Sequence, residues 1–164
     1  MKSKFLLKLA GMLLFLGVAL TLGCQSTSTF YVGEKVEKPN LRVPLSANKQ
    51  QSGTWQTFDL IINYSIEKGQ DSLTLTGQVQ FTQHYRTVYN QVQRMDLYLL
   101  FLDEESRVLK TVALPTFFTG IEDISPIKTT QPLPSGTRAI SFAYAGVVRG
   151  EREYFPFFER PSPD

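Results

Sequence analysis

The chain has 164 residues, with 17 lysines and arginines against 15 aspartates and glutamates, one histidine and one cysteine. That length supports one domain of ordinary size with its own core. A single cysteine excludes a disulfide framework within the chain, and a single histidine excludes most catalytic triads and nearly all histidine-based metal sites.

The first 23 residues stand apart from the rest. Lys2, Lys4 and Lys8 form a positive n-region, and residues 9–22 form an apolar stretch too short for a comfortable membrane span. Leu20-Thr21-Leu22-Gly23-Cys24 then sets the only cysteine directly behind a small residue. This stretch resembles the lipobox of bacterial lipoproteins, with Thr21 standing where leucine is most usual in that family. The resemblance implies cleavage between Gly23 and Cys24 and a thioether-linked diacylglycerol on Cys24, often with a third acyl chain on the new N-terminus. Each buried methylene adds about 0.8 kcal/mol of membrane affinity, so two or three chains anchor a protein stably where one does not. The plainer alternative is an ordinary secretory signal with an incidental cysteine. Acylation would consume the sole thiol and leave none for a disulfide, a metal or nucleophilic catalysis. Gln25 replaces the aspartate that signals inner-membrane retention in Gram-negative lipoproteins, which implies the outer membrane, facing the periplasm, in a Gram-negative host. Cleavage would also remove three lysines and no acid, leaving fourteen basic residues against fifteen acidic ones. A charge near minus one carries no basic stripe for nucleic acid.

Residues 24–54 are rich in Ser, Thr, Gln, Asn, Lys and Pro and read as a lipidated N-terminus followed by a polar tether. Within it, Phe30-Tyr31-Val32 offers a short edge strand, and Pro39 and Pro44 favour extended backbone. The folded domain is expected over 55–150. From Thr57 the period is two: Phe58, Leu60, Ile62, Tyr64 and Ile66 share one face, and Asp59, Asn63, Ser65 and Glu67 the other. Lys68-Gly69-Gln70-Asp71 supplies a turn, and Leu73, Leu75, Val79 and Phe81 resume the alternation, so the two runs predict a hairpin. Gly77 falls on the inner face of the second run, where a missing side chain marks a bulge or a close backbone approach. Residues 85–92 are the nearest approach to a helical pattern, and their β-branched and aromatic content leaves strand and helix both open.

Residues 95–102 are apolar on both faces, as in a central strand covered on each side. Asp103-Glu104-Glu105-Ser106 makes an acidic turn, and residues 107–114 are expected to return antiparallel. The proline- and glycine-containing stretch 115–136 offers one irregular strand around Ile121, Ile124 and Ile127, and ends in the turn Leu133-Pro134-Ser135-Gly136. Ile140, Phe142, Tyr144 and Val148 line one face of a last long strand, while Ala139, Ala143 and Ala145 keep the other small enough for something to pack closely. Six or seven strands joined by short turns favour an all-β fold, a single antiparallel β-sandwich of immunoglobulin-like character. No cysteine and tryptophan stand at immunoglobulin spacing, and Trp55 is expected to precede the first strand.

The residues that carry chemistry are few. His84 sits beside Tyr85 and Arg86 with no predicted orienting partner, and no G-x-S-x-G or S-x-x-K arrangement follows the leader. Asp103, Glu104 and Glu105 lack the alternating ligands and glycine of a calcium loop. A cation bridging them to Glu122 and Asp123 would need the two loops to meet in space. A glycosidase would need two carboxylates facing across a cleft, which sequence does not display. The most unusual segment is Tyr154-Phe155-Pro156-Phe157-Phe158, within a tail, 151–164, that packs on or extends the domain. Its rings either cap an open end of the sandwich or add an edge strand, or they form a partner-docking or membrane-contacting patch, which Phe117 and Phe118 are candidates to join. The expectation is a membrane-anchored, extracytoplasmic, non-catalytic binding or envelope-assembly module. It would need no cofactor, would have the membrane and an envelope protein as partners, and would bind no nucleic acid. The alternative is a lipoprotein that captures a glycan, lipid or small molecule, with a hydrolase as a remote third.

Overall fold

A computed structural model describes residues 27–47 and 49–163. The predicted leader, the Gly23–Cys24 processing site and the acylated Cys24 lie outside the described residues. Among the described residues ten strands run in chain order: β1 (Thr27–Ser28), β2 (Val43–Pro44), β3 (Gln50–Gln56), β4 (Leu60–Lys68), β5 (Ser72–Phe81), β6 (Gln91–Leu102), β7 (Val108–Leu114), β8 (Ser125–Pro132), β9 (Ala139–Arg149) and β10 (Tyr154–Glu159). A short helix, α1 (Gln83–Val88), joins β5 to β6, which settles the open reading of that stretch. The strands form two antiparallel sheets, β3-β4-β5-β8 and β1-β7-β6-β9-β10, with β2 also paired to β9. The protein is therefore an all-β sandwich.

The period-two runs set the small sheet. β4 and β5 pair without interruption from Leu60 opposite Phe81 to Lys68 opposite Leu73. Their inward residues Leu60, Ile62, Ile66, Leu73, Leu75, Val79 and Phe81 are buried. Phe58, expected on that face, is exposed, because Thr57 Oγ1 accepts the N–H groups of Asp59 and Leu60 and makes a turn that breaks the alternation before the strand begins. The unbroken register shows that Gly77 marks a close approach and not a bulge. A Cβ there would run into the carbonyl oxygen of Asn63 on the paired strand.

The large sheet is buried on both faces at its centre. Leu97, Leu99 and Phe101 of β6 pair with Tyr144, Phe142 and Ile140 of β9 and point into the sandwich; Tyr98, Leu100 and Leu102 point the other way, beside Ala143, Ser141 and Ala139. Leu99 through Leu102 are all fully buried, so a second layer must cover the outer face. It comes from residues 33–43 and from the C-terminal tail. Gly33 donates to Val108 and Val36 to Ser106 along the start of β7, while Lys35 and Ser162 exchange backbone hydrogen bonds. Val36, Leu41 and Val43 are buried, and the Leu41 carbonyl accepts from both Ser141 Oγ (2.7 Å) and Trp55 Nε1 (2.8 Å).

This differs from the tether expected over 24–54. Residues 27–54 carry β1, β2 and most of β3, and Trp55 lies inside β3 as one of the largest buried side chains. The physical reason is that the apolar anchors of this stretch are single residues scattered through polar sequence. They hold by backbone pairing and isolated burial, which leave no periodic signal. The strand count rises above six or seven for the same reason.

Candidate functional site

Strand alternation sorts the aromatic segment of β10, which lies on the β9 edge, into two faces. Phe157 points inward and is 3% exposed, with its ring against Phe81 (5.5 Å), Tyr144 (5.7 Å) and Tyr85 (5.9 Å). It occupies the space left by Gly146 directly opposite, where a Cβ would collide with the Phe157 ring and the Arg94 carbonyl. Phe155, on the same side but nearer the sandwich end, is 38% exposed and rests on Tyr89 at 5.3 Å. Tyr154 and Phe158 point outward and are 59% and 60% exposed. Each carries an arginine over its ring, Arg149 at 5.8 Å and Arg160 at 5.5 Å from the centroid. Of the four aromatic residues singled out in sequence, one caps the core, one sits at the rim and two stand on the outer face.

That outer face continues toward β1. Phe30 and Val32 are exposed just past β1, and Thr111 Oγ1 of β7 donates to the Phe30 carbonyl, which draws the chain across the sheet. Tyr98 meets Phe30 at 6.4 Å and Tyr31 at 5.9 Å, both edge to face. Burial, followed by the neighbouring Tyr98 and Glu34, raises the Tyr31 hydroxyl above its ordinary value, and Arg160 opposes them. An open groove of about 350 Å³ lies between Tyr31, Arg94, Val147, Phe158 and Arg160. Arg94 is paired with Asp96 at 3.0 Å. Sequence reasoning missed Phe30, Val32, Arg94, Arg149 and Arg160. Only the β9–β10 register and the path of residues 29–36 bring them together. Pro156 removes a backbone donor from the middle of β10, so this region presents a face more readily than an edge for strand addition.

Phe118 packs on Phe81 at 5.2 Å, in the same inner cluster as Phe157, whereas Phe117 is exposed on the 115–124 loop. His84 lies on α1 with its ring 4.9 Å from Phe58. The two acidic turns are at opposite ends of the sandwich. Asp103 follows the end of β6 and accepts the Arg107 N–H, while Glu122 pairs with Arg86 of α1, the helix that precedes β6. Asp123 accepts from Thr119 and Gly120, which holds its carboxyl below the usual range. Among the described residues no group of three or more His, Cys, Asp or Glu is placed to hold a metal ion.

One polar cluster is buried. Tyr144 Oη donates to Asp59 Oδ2 at 2.6 Å and lies 2.7 Å from Thr57 Oγ1. Burial first, and Asp59 second, hold the hydroxyls of Tyr144 and Tyr85 protonated well above the ordinary tyrosine range. The carboxylate thus joins the turn before β4 to the centre of β9, and its chemistry is that of a clamp between the sheets. Among the described residues no helix is long and apolar enough to cross a membrane. Compared with known protein families, with curated proteins and with solved structures, the chain has no significant match.

Proposed function

We propose that the chain is a lipoprotein of the bacterial cell envelope, anchored through acylated Cys24, whose sandwich serves as a non-catalytic binding or assembly module. The n-region, the short apolar stretch and Leu20-Thr21-Leu22-Gly23-Cys24 support the anchor. The observation that carries the module is the outward pair Tyr154 and Phe158, each stacked with an arginine on a strand whose inward neighbour Phe157 is already spent on the core. Aromatic and arginine side chains dominate the central energetics of interfaces, and folding alone does not require them on an outer face. Gln25 supports sorting to the outer membrane in a Gram-negative host.

Two variants test this reading. Cys24→Ser should abolish the acyl mass increase and move the protein from the membrane fraction to the soluble one; unchanged membrane retention would sink the anchor. The double variant Tyr154→Ser/Phe158→Ser should keep the wild-type melting temperature and lose whatever the wild-type protein binds in the envelope. Full retention of that binding would remove β10 from the module.

A further inference from the structure

We infer that the outer face of the β1-β7-β6-β9-β10 sheet lies against the bilayer itself, with its aromatic rings at headgroup level and its arginines on anionic headgroups. This rests on acylation of Cys24. Only Gln25 and Ser26 separate that residue from the first strand. Three residues of extended chain span at most about 11 Å, roughly the separation of two packed sheets. An anchored sandwich is therefore moored close to the lipid by its β1 edge and cannot stand off on a long spacer.

The face next to that mooring has the chemistry of a membrane interface. Phe30 and Val32 follow β1 directly, Tyr98 and Tyr31 continue the band, and Phe158 and Tyr154 complete it on β10. Arg149 and Arg160 lie over the rings of Tyr154 and Phe158, and Arg94, which lines the same groove as Arg160, pairs with Asp96. Aromatic rings with a polar tip settle at headgroup depth, and arginine side chains are drawn to an anionic leaflet. The outer face of the other sheet is unlike this. β3, β4, β5 and β8 expose no large apolar side chain, and their outward hydroxyls and amides bond one another, as in Ser52–Ser65, Thr54–Asn63 and Thr74–Thr130.

Acylation leaves the native protein without a free thiol, so one introduced cysteine can carry a fluorophore. The lipidated protein is reconstituted in vesicles of phosphatidylethanolamine and phosphatidylglycerol containing brominated lipid, with the label at Val32→Cys, Phe158→Cys, Thr130→Cys or Phe117→Cys. Quenching at positions 32 and 158 should exceed that at 130 by several-fold, and Arg149→Glu/Arg160→Glu should reduce it. Equal, weak quenching at all four positions overturns the inference, as does strongest quenching at 117, which would mean an end-on pose. Shielding of position 32 in native envelopes but not in pure lipid overturns it in favour of a protein partner. A Cys24 that itself takes the fluorophore in the unmutated chain overturns the anchor and this inference together, whereas acylated protein with uniform quenching overturns this inference alone.

Discussion

The two sheets turn different outer faces to their surroundings. On the small sheet the outward residues are short and polar, and they pair across strands, with Ser52 to Ser65 at 3.1 Å, Thr54 to Asn63 at 2.8 Å and Thr74 to Thr130 at 3.0 Å. On the large sheet the outward residues are apolar in the middle, where residues 33–41 and the tail near Ser162 cover them, and aromatic with arginine where that cover ends. A face whose polar groups satisfy one another needs nothing further. The other face draws on residues 33–41 and the C-terminal tail for cover and still leaves Phe30, Tyr154 and Phe158 exposed.

The sharpest way to break that comparison is within β10, where adjacent residues point to opposite sides. Phe157→Ala empties a site packed by Phe81, Tyr85 and Tyr144 and should lower the unfolding free energy by about 3–5 kcal/mol in urea titration. Phe158→Ala should change it by only about 0.5 kcal/mol. Similar losses in the two variants would mean that the outward face is structural. Gly146→Ala, which forces a Cβ into the Phe157 ring, should fall between them, at about 1–3 kcal/mol.

The clamp between the sheets yields a pH signature. Tyr144→Phe removes the donor to Asp59 and should destabilise by about 1–3 kcal/mol at neutral pH. The folded state keeps the Tyr144 and Tyr85 hydroxyls protonated above the pH at which an unfolded tyrosine, at about 10, ionises. Their contribution is therefore complete below pH 10 and declines as the pH rises beyond it, because only the unfolded chain gains by losing the proton. Tyr144→Phe should make that alkaline decline shallower in thermal melts from pH 9 to 11. An unchanged slope would show that Tyr144 does not take part in it.

Much of the fold was legible because burial on one face writes a period of two. The β4–β5 hairpin, the return of β7 on β6 and the long β9 all follow from it. The doubly apolar residues 95–102 and the small Ala139 and Ala143 also announced that something covers the far side of the large sheet. What covers it was not legible. Val36, Leu41 and Val43 are single anchors without a period, and the strongest restraint on Leu41, its carbonyl shared by Trp55 and Ser141, leaves no mark in residue type. The candidate site was half legible for the same reason. The aromatic cluster of β10 was visible in sequence, but its division into a core cap and an outward pair waited on the β9 register, and its continuation through Phe30 waited on β1.

The smallest expected effects test the quiet face. Thr74→Val and Thr130→Val each remove one partner of an exposed hydroxyl pair, yet water replaces the lost bond and valine suits a strand. Each change, and the double change, should alter stability by no more than about 0.5 kcal/mol. Ser141→Ala is the matched change on the large sheet. It removes a single hydroxyl too, but a buried one, and leaves the Leu41 carbonyl with Trp55 alone. A loss of about 1 kcal/mol is expected, together with faster amide exchange at Val36 and Leu41 that Thr130→Val does not produce. If exchange there stays slow, Ser141 does not hold the covering segment, and backbone pairing with Ser106 and Ser162 secures it unaided.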